Sequence, residues 1–304
     1  MPDEGAGNSA MADAEFTDML KDARARLALR LARETGALLL RAFREGVNAR
    51  NKLAGAGKAG AAGFDPVTAA DGQAEALMRG LIAKHFANDA ILGEEQGETA
   101  GGSGWTWVLD PIDGTRAFLC GVPTWTTLIA LLRDGVPVMG IIHAPVMKLL
   151  VMGNNAACWQ VEDDAARRAR ARDTTELSAA LAGTTLPRLY WKEPGKRALL
   201  ETLQERARHV QFDADALFYA LLATGRMDVA LDTGLQPHDA AALIPVVRGA
   251  GGVISDWRGR KQVMGGDIVA AASARLHDQL LELIAQSGAL RGAASSSTGD
   301  AGEH

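Results

Sequence analysis

At 304 residues, 47% hydrophobic and 23% charged, the chain is long enough to bury a large core in one or two domains. Its formal charge of -5 argues against a nucleic-acid partner, which needs clustered Lys and Arg, and its two cysteines, Cys120 and Cys158, are too few for a disulfide framework or a thiolate metal site. No apolar run approaches the ~20 residues that span a bilayer, and the acidic start lacks the apolar core of a secretory signal, so the expected location is cytoplasmic and no membrane partner is expected, with Met1 or Met11 as the start.

The first predicted element is one long amphipathic helix over 14–48, where Leu27, Leu31, Leu38 and Leu39 recur at helical spacing between Arg and Glu. Residues 51–66 are too rich in Gly and Ala for a regular element and read as a mobile loop carrying a solvated Lys58. A second helix follows from Asp71 or Gly72 to Phe86, and "AILGEEQG" reads as a short strand running into a polar turn. Between 105 and 160 the texture is β: "WTWVLD", "WTTLIALLRDG", "PVMGIIHAPVMKLLVMG" and "NAACWQV" are broken by Gly, Pro or Asn, which predicts an antiparallel sheet.

A polar stretch at 162–178 marks a boundary between an N-terminal α+β domain, 14–165, and a C-terminal α/β domain, 166–289. The arginine cluster "RRARAR" at 167–172 reads as a solvated helix or loop. Beyond it the pattern predicts a strand at "ALAGTTL", a helix over 194–207, a helix at "DALFYALLATG", a strand at "MDVALD", a helix at "HDAAALIPVVRGAG" and a strand at "GVISDW". The ends, 1–13 and 290–304, have almost nothing to bury and read as disordered.

Chemistry concentrates where apolar runs end in carboxylates. Asp110 closes "WTWVLD", Pro111 helps to end the strand, Asp113 follows, and Gly114 gives the turn its backbone freedom. Thr115 would then sit in the first turn of the next segment, where free backbone N–H groups favour an anion. Carboxylates beside an anion repel it unless divalent cations lie between, and hard oxygen ligands point to Mg²⁺ rather than zinc. Glu94 and Glu95 end another strand, while Asp71 and Asp239 each open a helix, where plain capping is the alternative role. "GAGG" at 249–252 follows a helix and lacks the other parts of a dinucleotide fingerprint, so it reads as a helix stop. The six histidines are scattered without zinc-ligand spacing, and the six tryptophans are expected in the core or an interface.

"DPVTAAD" at 65–71, "GEE" at 93–95, "DPIDGT" at 110–115 and the Asp239 helix followed by "GAGG" occur in an order that resembles the inositol monophosphatase-like phosphatases, over residues 14–288. The resemblance implies a layered αβαβα sandwich of mixed α/β class and hydrolysis of a small-molecule phosphate monoester. It implies two or three Mg²⁺ ions: Glu94, Asp110 and the Ile112 carbonyl for one, Asp110, Asp113 and Asp239 for a second, and Asp71 for a weaker third. It implies that Glu94 and Thr115 orient a metal-activated water and that the N–H groups of Gly114 and Thr115 grip the phosphate. A homodimer and inhibition by lithium are further implications.

The stretch from Phe212 to Trp257 is most similar to the branch acting on histidinol phosphate, which selects Asp215 and Asp232 as the acids that meet a cationic substrate. Capping is the alternative role for Asp215. Phe212-Asp213-Ala214, Gly72 and His238 depart from that branch, where glycines, an arginine and an aromatic are usual. Inositol 1-phosphate is the alternative substrate, and a catalytically silent phosphate-binding relative is the alternative class.

Overall fold

The computed structural model describes residues 14–45, 49–51, 66–163, 165–261 and 263–290. The interior of the loop expected at 51–66, with Lys58, and the expected disordered ends lie outside them, apart from Leu290.

The single helix expected over 14–48 is instead two helices, α1 over 14–19 and α2 over Ala23–Glu45. The reason is local: the Asp22 carboxylate accepts from the N–H groups of Arg24 at 2.7 Å and Ala25 at 3.1 Å and so opens a new helix. A two-stranded antiparallel ribbon, β1 (Ala49–Asn51) with β2 (Pro66–Thr68), leads into α3 (Ala69–His85).

The first half then builds one eight-stranded sheet. Its strands are β3 (Ala90–Gly93), β4 (Gly97–Thr99), β5 (Trp105–Asp113), β6 (Thr126–Arg133), β7 (Val136–Ala144), β8 (Leu149–Gly153), β9 (Cys158–Glu162) and β10 (Ala165–Arg168), with the short helix α4 (Thr115–Cys120) between β5 and β6. Strand order is β10-β9-β8-β7-β6-β5-β3-β4, antiparallel as expected except that β3 and β5 run parallel. Both faces are covered, which explains why the strands read as unbroken apolar runs. Trp107, Leu109, Ile129 and Ile141 pack against Leu31, Met78 and Ile82 of α2 and α3, while their strand neighbours Val108, Leu128, Ala130 and Ile142 face the opposite layer.

The second half comprises β11 (Leu181–Thr184), α5 (Arg188–Trp191), α6 (Pro194–Arg206), β12 (His209–Phe212), α7 (Leu217–Ala223), β13 (Val229–Leu235), α8 (Pro237–Ala240), α9 (Leu243–Gly249), β14 (Val253–Asp256), β15 (Gly266–Ala271) and α10 (Ala274–Ser287). Its five strands run β12-β11-β13-β15-β14, with β11 parallel to both neighbours and the remaining pairs antiparallel. Helices α7 and α9 lie between the two sheets and share one core with both, and α6 and α10 cover the outer face of the smaller sheet. The layers are therefore αβαβα. No helix among the described residues is long and apolar enough to cross a membrane.

Two further expectations change. The helix expected at "HDAAALIPVVRGAG" breaks between Ala240 and Leu243, because Pro245 has no N–H for the preceding turn and is accommodated only in the first turn of a new helix. The "RRARAR" cluster, expected as a solvated helix or loop, starts in strand β10 and is a loop only from residue 169 onward, with Arg168 paired to Glu15 and Arg172 to the buried Asp228. Of the tryptophans, Trp107, Trp125, Trp159 and Trp257 are fully buried, but Trp191 is 64% exposed.

The middle helix layer touches the large sheet through glycine. A Cβ on Gly140 of β7 would collide with the backbone carbonyl of Ala242, and one on Gly153 of β8 with the backbone of Pro245 and Val246. Neither obstacle is a flexible side chain. Gly140→Ala is therefore expected to destabilise the fold by about 1–3 kcal/mol through overpacking, read as a lower urea midpoint with an unchanged slope; an unchanged midpoint would contradict the close approach.

Candidate active site

The site begins with a count of residues along a strand. Asp110 and Asp113 are three positions apart, so on a regular strand they would point to opposite faces. Strand β5 is not regular there: Asp110 pairs with Leu128 and Asp113 with Thr126, so three steps on β5 match two on β6. This bulge at Pro111 turns both carboxylates to one side. The distortion is held by the Thr127 hydroxyl, which donates to the Pro111 carbonyl at 2.8 Å, and by the Thr126 hydroxyl, which donates to Asp113 at 3.0 Å.

Immediately after the bulge, Gly114 takes φ 83°, a left-handed conformation open to glycine, and starts α4 without any side-chain cap. Thr115 follows, its hydroxyl donating to the Ile112 carbonyl at 3.1 Å. Asp113 reaches across the layers, accepting the Ala216 N–H at the head of α7 at 2.8 Å. Asp239 sits in the first turn of α8, where it accepts the Gln236 N–H at 2.6 Å, so the capping role is real; its other oxygen lies 3.5 Å from His238 Nε2.

Glu94 and Glu95 are set by a residue that spacing alone does not single out. Glu75 of α3 is fully buried, paired with Arg79 at 2.7 Å, and its carboxylate accepts the N–H groups of Glu95 at 2.7 Å and Gln96 at 3.0 Å. A Cβ on Gly93 would run into Glu75, which accounts for the glycine in "GEE". Glu95 joins the site as well: one oxygen from each of Asp71, Glu94 and Glu95 lies within 4.8 Å of the others, and the same holds for Asp110, Asp113 and Asp239. Glu94 thus groups with Asp71 and Glu95, while its charge also acts on Asp110.

Of these groups, Glu94, Asp110, Asp113 and Asp239 line a cleft of about 310 Å³ with Ile112, Gly114, Thr115, Arg116, Asp215, Tyr219, Asp232 and His238. Asp215 is not a helix cap, since α7 starts beyond it and the Asp215 backbone is left-handed at φ 40°. Its carboxylate accepts the Thr185 hydroxyl at 3.0 Å. Asp232, 2% exposed, accepts the Thr185 N–H and the Tyr219 hydroxyl, both at 2.9 Å.

So many acids in one place do not ionise independently. Burial, and then the charges of Glu94, Asp113, Asp239 and Asp71, hold the Asp110 carboxyl well above the usual carboxylate range. Burial with Asp215 and Asp239 raises Asp113, against which the Ala216 N–H and the Thr126 hydroxyl work. Burial also raises Asp239 and Asp215, with His238 opposing it at the first and the Thr185 hydroxyl at the second. Asp232 is pushed from 3.8 to about 7, chiefly by burial. Arg116 is the one arginine or lysine among the residues lining the cleft.

The donors fit a hard divalent cation. Asp110 Oδ1 is fully buried and has no hydrogen-bond partner, and two triads of oxygen donors converge at metal-ligand spacing. Asp110→Asn is expected to raise the melting temperature of the metal-free protein, because it removes one of the mutually repelling charges, while reducing the rise that Mg²⁺ gives the wild type. Scanning calorimetry with and without Mg²⁺ reads both, and a lower metal-free melting temperature would contradict the crowding. Asp232 gives a pH test. Its folded-state pKa is raised, so its contribution to stability is complete below pH 3.8 and is lost as pH rises to about 7. Asp232→Asn should flatten stability over that window in the metal-free protein, as followed by urea unfolding at several pH values.

Comparison with known proteins shows the family and the fold. The model of the inositol monophosphatase family matches residues 21–289. The chain is 36% identical over 233 residues to the bifunctional phosphatase IMPL2, chloroplastic, of Arabidopsis thaliana, covering 72% of this chain and 65% of that one. It is 36% identical over 219 residues to the histidinol-phosphatase of Mycobacterium tuberculosis, covering 71% and 83%. Among solved structures, an inositol monophosphatase from Zymomonas mobilis superimposes with a TM-score of 0.70 at 33% identity, over 86% of this chain and 96% of that one.

Proposed function

Because the chain belongs to the inositol monophosphatase family and is a phosphatase of that family, we propose that it hydrolyses L-histidinol phosphate to L-histidinol and inorganic phosphate with Mg²⁺ as cofactor. The observation that carries the substrate is the pair of acids in the wall of the phosphate cleft, the buried Asp232 and the half-buried Asp215. A substrate with an ammonium and an imidazole gives those acids charged hydrogen-bond partners, whereas the hydroxyls of an inositol ring offer only neutral ones. The similarity to the M. tuberculosis histidinol-phosphatase supports the same reading.

In this proposal Asp110, Asp113 and Asp239 hold one cation, and Asp71, Glu94 and Glu95 a second. Bound there, divalent cations would supply the positive charge that a phosphate needs in an acidic cleft and would lower the pKa of water. The backbone N–H groups of Gly114 and Thr115 bind phosphate oxygens at the uncapped start of α4. Since the Thr115 hydroxyl proton is committed to the Ile112 carbonyl, its oxygen is left as an acceptor that orients the attacking water together with Glu94. Water adds to phosphorus, the ester P–O bond breaks, and the alcohol leaves on the side of Asp215 and Asp232.

Inositol 1-phosphate is the second reading, favoured by the likeness to the Z. mobilis enzyme and by Asp232 already holding a hydrogen bond on each oxygen. Phosphate release from the two esters, measured side by side with Mg²⁺, is expected to give L-histidinol phosphate a kcat/KM at least about tenfold higher, the order one charged contact supplies. A preference for inositol 1-phosphate would overturn the substrate, and no turnover of any phosphate monoester would identify a silent phosphate-binding relative.

A further inference from the structure

Thr185 follows the end of β11, 6% exposed and outside the lining of the cleft. It nevertheless touches two of the three acids that face the cleft from the second half of the chain, Asp232 and Asp215 but not Asp239. Its backbone N–H donates to Asp232 Oδ1 at 2.9 Å, and its hydroxyl donates to Asp215 Oδ1 at 3.0 Å. We infer that Thr185 is a positioning residue for substrate selection: one side chain and one peptide group fix the spacing of the two carboxylates that recognise the cationic end of the phosphate ester. This rests on the proposed reading of Asp215 and Asp232 as substrate contacts.

Asp215 needs such a tether more than most acids. It lies in a strained turn, with Asp213 at φ 65° and Asp215 at φ 40°, both in the left-handed region that side chains other than glycine rarely occupy. The turn backbone is pinned at both ends, by the Asp213 N–H on the Thr184 carbonyl at 3.0 Å and by the Ala216 N–H on Asp113. The carboxylate itself is held differently: among the described residues, the Thr185 hydroxyl is its hydrogen-bond donor. Its other oxygen lies near Gly114, where an added Cβ would stand 3.1 Å away, so Asp215 borders the turn that grips the phosphate.

Asp232 is anchored twice, by Thr185 and by the fully buried Tyr219, whose hydroxyl takes its second oxygen at 2.9 Å. Loss of the Thr185 hydroxyl therefore frees Asp215 while leaving Asp232 in place. Selectivity should fall without loss of the hydrolytic machinery, because none of the candidate cation ligands is bonded to Thr185.

The test compares Thr185→Val, which keeps the shape and the backbone N–H but not the hydroxyl, with Thr185→Ser, which restores the hydroxyl. The readout is the ratio of kcat/KM for L-histidinol phosphate to that for inositol 1-phosphate, together with kcat and KM separately. In Thr185→Val the ratio is expected to fall about tenfold, through KM for the cationic ester with kcat within about twofold, as loss of a hydrogen bond to a charged group would give. Thr185→Ser is expected to keep the wild-type ratio within about twofold. An unchanged ratio in Thr185→Val, or an equal fall for both esters, would overturn the inference. Should Thr185→Val not yield folded protein, Thr185→Ala reads the same ratio. A wild-type preference for inositol 1-phosphate would instead count against the proposed substrate, while the shift between wild type and variant would still judge Thr185.

Discussion

Mutual repulsion of crowded carboxylates organises this molecule. Asp110 is 1% exposed, has an oxygen with no hydrogen-bond partner, and feels the charges of Glu94, Asp113, Asp239 and Asp71. A cluster of this kind opposes folding unless positive charge is supplied. Two triads of its oxygens converge at a spacing that could hold a cation. Several of the acids are held together by backbone or hydroxyl donors. Asp113 has Thr126 and Ala216, Asp239 has Gln236, and the Glu94–Glu95 turn has Glu75.

The acids come from four of the five layers. Helix α3 brings Asp71 and Glu75, the edge of the large sheet brings Glu94 and Glu95, the bulge in β5 brings Asp110 and Asp113, the middle layer brings Asp239 and, in the turn before α7, Asp215, and β13 of the smaller sheet brings Asp232. The middle layer reaches the site because glycines at 140 and 153 let its backbone rest directly on the sheet. Packing and chemistry are thus linked: the spacing of the layers sets the distance between acids that lie far apart in sequence.

Much of this was legible in the sequence because the signals are local. "DPIDGT" joins a strand-ending proline, two acids and a turn glycine in six residues, and "GEE" ends a strand in carboxylates. What was not legible depends on contacts between distant segments. Glu75 reads as one more helical glutamate until the fold places the N–H groups of Glu95 and Gln96 against it. Thr185 and Tyr219 acquire meaning only where β11, α7 and β13 meet. Strand β15, in "GDIVAAAS", is mostly small residues with few β-branched ones, so its propensity is weak. The short edge strand β12, His-Val-Gln-Phe, alternates polar and apolar but for only four residues, too few to stand out. Helix α10 is different, since Ser273 caps it and Leu276, Leu280 and Leu283 recur at helical spacing, so its signal stands in the sequence.

The central claim is that two acidic triads form a cation cradle, and locating the cations tests it most directly. In crystals grown with Mn²⁺ as a stand-in for Mg²⁺, anomalous scattering is expected to place one ion among Asp110, Asp113 and Asp239 and another among Asp71, Glu94 and Glu95. Anomalous density absent from both triads at saturating Mn²⁺, with the carboxylates still converging, would contradict the account.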